Sequence, residues 1–308
     1  MPDTIFKNVP GMRNAAAVPV VEVDSLPESL FNSKYVDKSQ PCVIRGAVRG
    51  WPAREKWRDA QYLKRRAGHH PVLFFPHENH ITYDRMMAGR EEMRFADAVD
   101  RLFSDKWSVA TLGLQEELTE LRADVGRFSF LTQAQQSFLY PPIRFFVYRN
   151  AGSTWHYHPM DETLMCQVIG SKQVGLVSAR TPFQKTLQEI FLGEEYYEDA
   201  SACRRLDNAD LSWFTATVEE GDALYIPPLW WHGIIPKSES FGVTAAVPWR
   251  SPLPVIADTI RKMASGDIEM LGGTSEAQVQ ALVDVAKQLG LERELEKVFQ
   301  LAQVRKLG

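Results

Sequence analysis

Between residues 142 and 250, six short runs rich in β-branched and aromatic residues follow one another at close spacing. They are Arg144–Arg149, Leu164–Ile169, Gln173–Val177, Ala216–Val218, Ala223–Ile226 and Gly242–Val247, with Gly, Pro and Asp between them. Many short strands punctuated in this way exclude a helical bundle and argue for a small all-β barrel or sandwich. Upstream, Val18–Val23 is strand-like, a short helical stretch surrounds Leu26–Asn32, and Pro41–Gly46 reads as a buried strand. Residues 51–66 predict a surface helix carrying Trp57, Ala60 and Leu63, residues 71–83 alternate as strands, and residues 92–104 predict a helix striped by Met93, Phe95, Ala98 and Leu102. Downstream, residues 275–288 (Val279, Leu282, Val283, Ala286) and 291–305 (Leu291, Leu295, Val298, Phe299, Ala302) predict a C-terminal helical hairpin, either a cover for the barrel or a homodimer interface. The expected organisation is an arm at 1–17, an α/β part at 18–141, the barrel core at 142–252 and C-terminal helices at 253–308.

Charge narrows the partners. Lys and Arg number 35 against 39 Asp and Glu, a net of −4, so the overall field weakly repels nucleic acid and anionic membranes. The local basic cluster Lys64-Arg65-Arg66, with His69 and His70 nearby, reads as a solvated helix end. Cys42, Cys166 and Cys203 are too widely spaced for a disulfide framework or a thiolate metal site. The first residues lack a basic segment followed by an apolar run, and no apolar stretch reaches membrane-spanning length, so a cytoplasmic location is expected.

Of seven histidines, His69, His70, His77 and His80 have no ligand-like context and read as surface or satisfied core residues. His156-Tyr157-His158 lies at the edge of a strand-rich segment, where positions i and i+2 project from one face. Glu162 follows four residues later, and Gly221-Asp-Ala-Leu-Tyr-Ile-Pro-Pro-Leu-Trp-Trp-His232 sets a third imidazole after a Pro-bounded strand. Imidazoles with a carboxylate suit Fe(II), Mn or Zn with coordination positions left open. A His-x-His pair alone is commonly a polar strand face; the distal segment makes the metal reading specific.

That distal segment resembles the metal-ligand motif of the JmjC, cupin-like hydroxylases, which are Fe(II)- and 2-oxoglutarate-dependent. Further resemblance lies in His156-Tyr-His-Pro-Met-Asp, in Gln167-Val-Ile-Gly-Ser-Lys172, in Pro41-Cys-Val-Ile-Arg-Gly with Gly50-Trp51-Pro52, and in Phe241-Gly-Val-Thr-Ala-Ala-Val-Pro-Trp249. It covers about residues 20–250 and is nearest to the tRNA wybutosine hydroxylase branch, with the asparaginyl hydroxylase of hypoxia-inducible factor more distant. The resemblance implies a double-stranded β-helix (jelly-roll) barrel, Fe(II) on His156, His158 and His232, 2-oxoglutarate as cosubstrate on Lys172, and a helping hydroxyl from Thr154 or Ser153. It further implies a hydroxylase; the tRNA-modifying relative would need a basic face, and the net charge of −4 argues against a large polyanion, which leaves a protein side chain or a small metabolite as substrate. Two departures stand out. The family's metal-binding Asp falls on His158, and the spacing from His156 to Lys172 is one residue longer than the family's. The extra residue opens a second ligand set in which Glu162, or Asp161, joins the three histidines, as in cupin metalloenzymes that do not use 2-oxoglutarate. A third reading is a barrel that binds a partner or ligand without catalysis.

Overall fold

The computed structural model describes residues 4–76, 88–104, 108–112, 119–137, 139–193, 200–207, 209–237, 241–268 and 276–305. Its strands, in chain order, are β1 Ala16–Ala17, β2 Val20–Glu22, β3 Cys42–Arg45, β4 Pro71–Pro76, β5 Glu91–Arg94, β6 Ser108–Leu112, β7 Arg144–Arg149, β8 Ser153–His156, β9 Asp161–Ile169, β10 Lys172–Ser178, β11 Trp213–Val218, β12 Ala223–Ile226, β13 Trp230–Pro236 and β14 Phe241–Arg250. They form two mixed sheets in a jelly-roll-like sandwich. The smaller runs β1-β11-β10-β13-β8, and the larger runs β2-β3-β12-β9-β14-β7-β6-β4-β5.

Side-chain alternation along each strand divides three hydrophobic clusters. Val43, Met165, Val174, Leu176, Leu224 and Trp230 fill the space between the sheets. The outer face of the larger sheet packs Phe145, Val147, Leu164, Cys166 and Tyr225 against Phe31, Trp51, Trp57 and the N-terminal helices. The outer face of the smaller sheet packs Trp155, Tyr157 and Trp231 against Leu187, Phe191 and the C-terminal helices.

Several local expectations are corrected. The surface helix breaks into Ala53–Lys56 and Ala60–Ala67, because the Asp59 side chain accepts from the Gln61 backbone N–H and starts a new helix. Met93 lies on β5, paired with Val72, and the helix starts at Phe95. Residues 77–87, part of the expected strand region 71–83, lie outside the described residues. The arm is anchored by more than its aperiodic sequence announces: buried Phe6 sits edge-on to Trp155, and β1 pairs in parallel with β11. Helices Gln184–Leu192 and Leu253–Ser265 are additions to the sequence reading.

The C-terminal pair forms at Glu276–Leu289 and Glu292–Arg305, and its apolar stripe is Leu282, Val285, Ala286, Leu291, Leu295 and Val298. These residues are buried with Ile256, Ile260 and Met263 of the preceding helix. No helix among the described residues is long and apolar enough to cross a membrane.

Candidate metal centre

The site sits on the inner face of the smaller sheet. Trp155 and Tyr157 point outward into the cluster beneath the C-terminal helices, so His156 between them points inward. The same alternation turns His232 inward between outward Trp231 and its neighbours, and β13 sets it directly opposite His156 in the antiparallel register. His232 therefore lies within a strand, Trp230–Pro236, rather than after one. His158 departs from the simple i, i+2 picture: β8 ends at His156, and His158 lies in the following connection. Its ring is held there by the Thr163 hydroxyl, 3.0 Å from Nδ1.

One ring nitrogen from each of His156, His158 and His232 lies within 4.8 Å of the other two. Ring centroids are 4.1 Å apart for His156–His232, 5.0 Å for His158–His232 and 5.5 Å for His156–His158. His156 Nδ1 is 2.8 Å from the Thr154 carbonyl and His232 Nδ1 is 2.9 Å from the Trp230 carbonyl. A carbonyl only accepts, so both Nδ1 atoms carry the proton and both Nε2 lone pairs are free to ligate. Burial pushes all three imidazoles below their ordinary pKa, His158 and His232 well below it; neighbouring imidazoles add to the effect at those two, and the Arg144 charge adds to it at His156 and His158. Neutral, oriented and convergent, these are the donors that Fe(II), Mn or Zn requires, so the residues fit a divalent ion.

The alternative ligands are placed elsewhere. On β9, Leu164, Cys166 and Val168 face the N-terminal core. Glu162 shares their parity and accepts a hydrogen bond from the Tyr225 hydroxyl at 2.6 Å. Burial holds its carboxyl up at about 7 despite that bond. The imidazole cluster includes neither Glu162 nor Asp161. Asp161 has the inward parity of Thr163 and forms no salt bridge among the described residues; burial raises its pKa to about 7 against the weaker pull of Ser137 and Arg144.

Lys172 opens β10 on the inner face and is buried. Its Nζ lies 3.9 Å from the centroid of the Tyr148 ring, and no carboxylate among the described residues pairs with it. Desolvation lowers its pKa to about 7. The Tyr148 hydroxyl is fixed by the Gln167 side-chain amide at 2.8 Å, and Gln167 in turn accepts from Thr244 at 3.0 Å. Thr154 shares the inward parity of His156, two residues away.

Two features escaped sequence reasoning. Thr163 is the partner of His158, and nothing in the spacing marks it. Arg144 stands on the inner face of β7 with Phe146 and Tyr148, its guanidinium 4.0 Å from the Tyr140 ring centroid and 5.5 Å from that of Phe146. A charge at that parity, in an otherwise apolar and aromatic run, was the available signal. Elsewhere His70 is buried, with Nε2 3.4 Å from Glu120 Oε2, and His69 is exposed against it. One potential ligand atom from each of these three also lies within 4.8 Å of the others. His77 and His80 lie outside the described residues.

Comparison with known proteins agrees with this architecture. The cupin-like domain family matches residues 27–252. The chain is 26% identical to Jumonji C domain-containing protein 5 of Drosophila melanogaster over 251 residues, covering 74% of this chain and 59% of the relative. It is 26% identical to lysine-specific demethylase JMJ30 of Arabidopsis thaliana over 242 residues, 70% of this chain and 51% of the relative. The tRNA wybutosine-synthesizing protein 5 of Gallus gallus is 26% identical over 266 residues, 77% of this chain and 79% of that protein. The chain thus spans little more than half the length of the first two relatives.

Proposed function

The chain belongs to the cupin-like domain family, and on that footing we propose that it is an Fe(II)- and 2-oxoglutarate-dependent oxygenase that hydroxylates a small metabolite or a protein side chain. The observation that carries this reading is the pairing of three convergent neutral imidazoles with a buried lysine on the same inner surface. His156, His158 and His232 would hold the iron. When bound, iron and 2-oxoglutarate together supply activation of dioxygen for insertion of oxygen into a C–H bond.

The chain's own residues bind, orient and keep water out. The Thr154 and Trp230 carbonyls and the Thr163 hydroxyl fix each imidazole through Nδ1. Lys172, a buried cation awaiting a counter-charge, takes the distal carboxylate of 2-oxoglutarate, and Tyr148 holds the ammonium from behind. Thr154 supplies a hydroxyl on the same face. Trp230 and the inner apolar residues make a dry wall around these groups. The three-His, one-Glu alternative is disfavoured by parity, since Glu162 faces away into the N-terminal core with Tyr225.

The test is an anaerobic titration of Fe(II)-loaded protein with 2-oxoglutarate, followed by visible absorbance. A metal-to-ligand charge-transfer band that saturates in the parent and weakens in Lys172→Ala is expected. Bound iron without such a band would sink the 2-oxoglutarate reading.

A further inference from the structure

We propose that Arg144 is the anion site that anchors a carboxylate of the substrate beside the imidazole cluster. This deepens the oxygenase reading by naming the substrate class, and it rests on that reading for the word substrate. Arg144, Phe146 and Tyr148 form one inward row on β7, because Phe145 and Val147 point outward into the N-terminal core. The guanidinium lies over the Tyr140 ring, and that ring is 6.2 Å from the ring of His158. Arg144 is therefore one aromatic ring away from a metal ligand.

The guanidinium is a built but incomplete site. Its Nε is buried without a hydrogen-bond partner, and no carboxylate among the described residues forms an ion pair with it. Asp161 is close enough for its field to be felt, without a salt bridge. A planar five-donor cation held between two aromatic faces, with its donors unspent, matches a carboxylate bidentately. Elsewhere in this chain an arginine near a buried carboxylate is paired outright, as Arg45 is with Asp222 at 2.5 Å.

Charge argues that 2-oxoglutarate alone does not complete the site. Arg144 and Tyr148, the residue under Lys172, are four positions apart on one strand, roughly 13 Å along the backbone. Lys172 thus sits at one end of this inward row, while the Arg144 charge is felt at His156 and His158. With a divalent ion on three neutral imidazoles, the inner surface holds four positive charges, counting Lys172 and Arg144. The 2-oxoglutarate dianion and Asp161 return at most three, which leaves the site favouring an anion. Replacing the family's ligand Asp by His158 adds the unmatched charge. A lysine or arginine side chain, as a cation, would meet like charge here.

The test uses protein loaded with Fe(II) and 2-oxoglutarate under anaerobic conditions, probed with matched acids, amides and amines. Free probes are hexanoate, hexanamide and hexylamine, with the phenylpropionate series beside them; blocked pentapeptides centred on Glu, Gln or Lys are the other arm. Perturbation of the charge-transfer band and the shift in melting temperature report binding. At least tenfold tighter binding of the acids is expected, abolished in Arg144→Gln and partly restored in Arg144→Lys. Free acids ahead of the Glu peptide would identify a small-molecule acid; the reverse order would identify an acidic side chain of a protein. Preference for the amines or Lys peptide, no difference between the series, or an acid preference surviving in Arg144→Gln overturns the proposal. Melting is also read on the metal-free protein, so a missing charge-transfer band fails the oxygenase reading while the carboxylate preference is still decided.

Discussion

Asp124 and Asp161 are both buried to within 1% of full enclosure, one beneath the N-terminal helices and one inside the barrel. Asp124 receives Lys56 Nζ at 2.6 Å, the Tyr62 hydroxyl at 2.7 Å and Trp57 Nε1 at 3.0 Å. Desolvation works to raise its pKa, but these donors outweigh it and the net shift is downward. Asp161 has no cation paired with it among the described residues, the pull of Ser137 and Arg144 is outweighed, and burial carries it up to about 7. The N-terminal layer has thus satisfied its buried charge within the chain, whereas the barrel interior keeps Asp161, Lys172 and Arg144 without ion-pair partners. Buried polar groups left open in this way cost stability, and they are tolerated where a ligand completes them.

Four variants break or sharpen that contrast. The largest effect falls on the open region: His232→Ala removes one of the three proposed ligands, and Fe(II) affinity should drop at least 100-fold by equilibrium dialysis, while retained stoichiometric iron would refute the site assignment. In the satisfied region, Asp124→Ala strands Trp57 Nε1 and the Tyr62 hydroxyl and lowers unfolding free energy by about 3 kcal/mol in a urea titration. Because the folded pKa of Asp124 is lowered, its contribution is present above the unfolded carboxyl pKa and is lost as pH falls through the folded value. The parent and Asp124→Ala stability curves should therefore converge at acid pH.

Lys172→Met should act with the opposite sign, raising the stability of the metal-free protein by about 2 kcal/mol while abolishing 2-oxoglutarate binding. The folded pKa of Lys172 is lowered to about 7, so the unfolded chain binds the extra proton between there and its ordinary value near 10.5. Parent stability accordingly rises with pH across that window, and the advantage of Lys172→Met is greatest at and below pH 7. A Lys172→Met protein less stable than the parent at pH 7 would mean that the lysine is already satisfied. The smallest effect belongs to Glu162→Gln, which should leave iron affinity within about threefold of the parent, since its carboxylate faces Tyr225 across the sheet. Loss of iron in that variant would restore the fourth-ligand reading.

From the sequence alone, the barrel and its candidate metal-ligand histidines were legible, because both are written in local pattern. Short β-branched runs broken by Gly and Pro encode strands wherever they occur, and His156, His158 and His232 sit in motifs whose meaning survives without coordinates. Element boundaries were less legible: Asp59 splits one expected helix, and Met93 follows its pairing with Val72 rather than its helical spacing. Glu162 and Asp161 could not be told apart from spacing, since an extra residue shifts either towards the metal. The strand places them on opposite faces: β9 begins at Asp161, and its alternation sends Glu162 into the N-terminal core. Arg144 and Thr163 needed the tertiary structure for a stronger reason. Their partners lie across the fold or at irregular offsets, at Tyr140, Phe146 and His158, and which face of a strand meets which ring is set by how two sheets close on each other. Period-two alternation tells which residues share a face; only the packed sandwich tells what that face encloses.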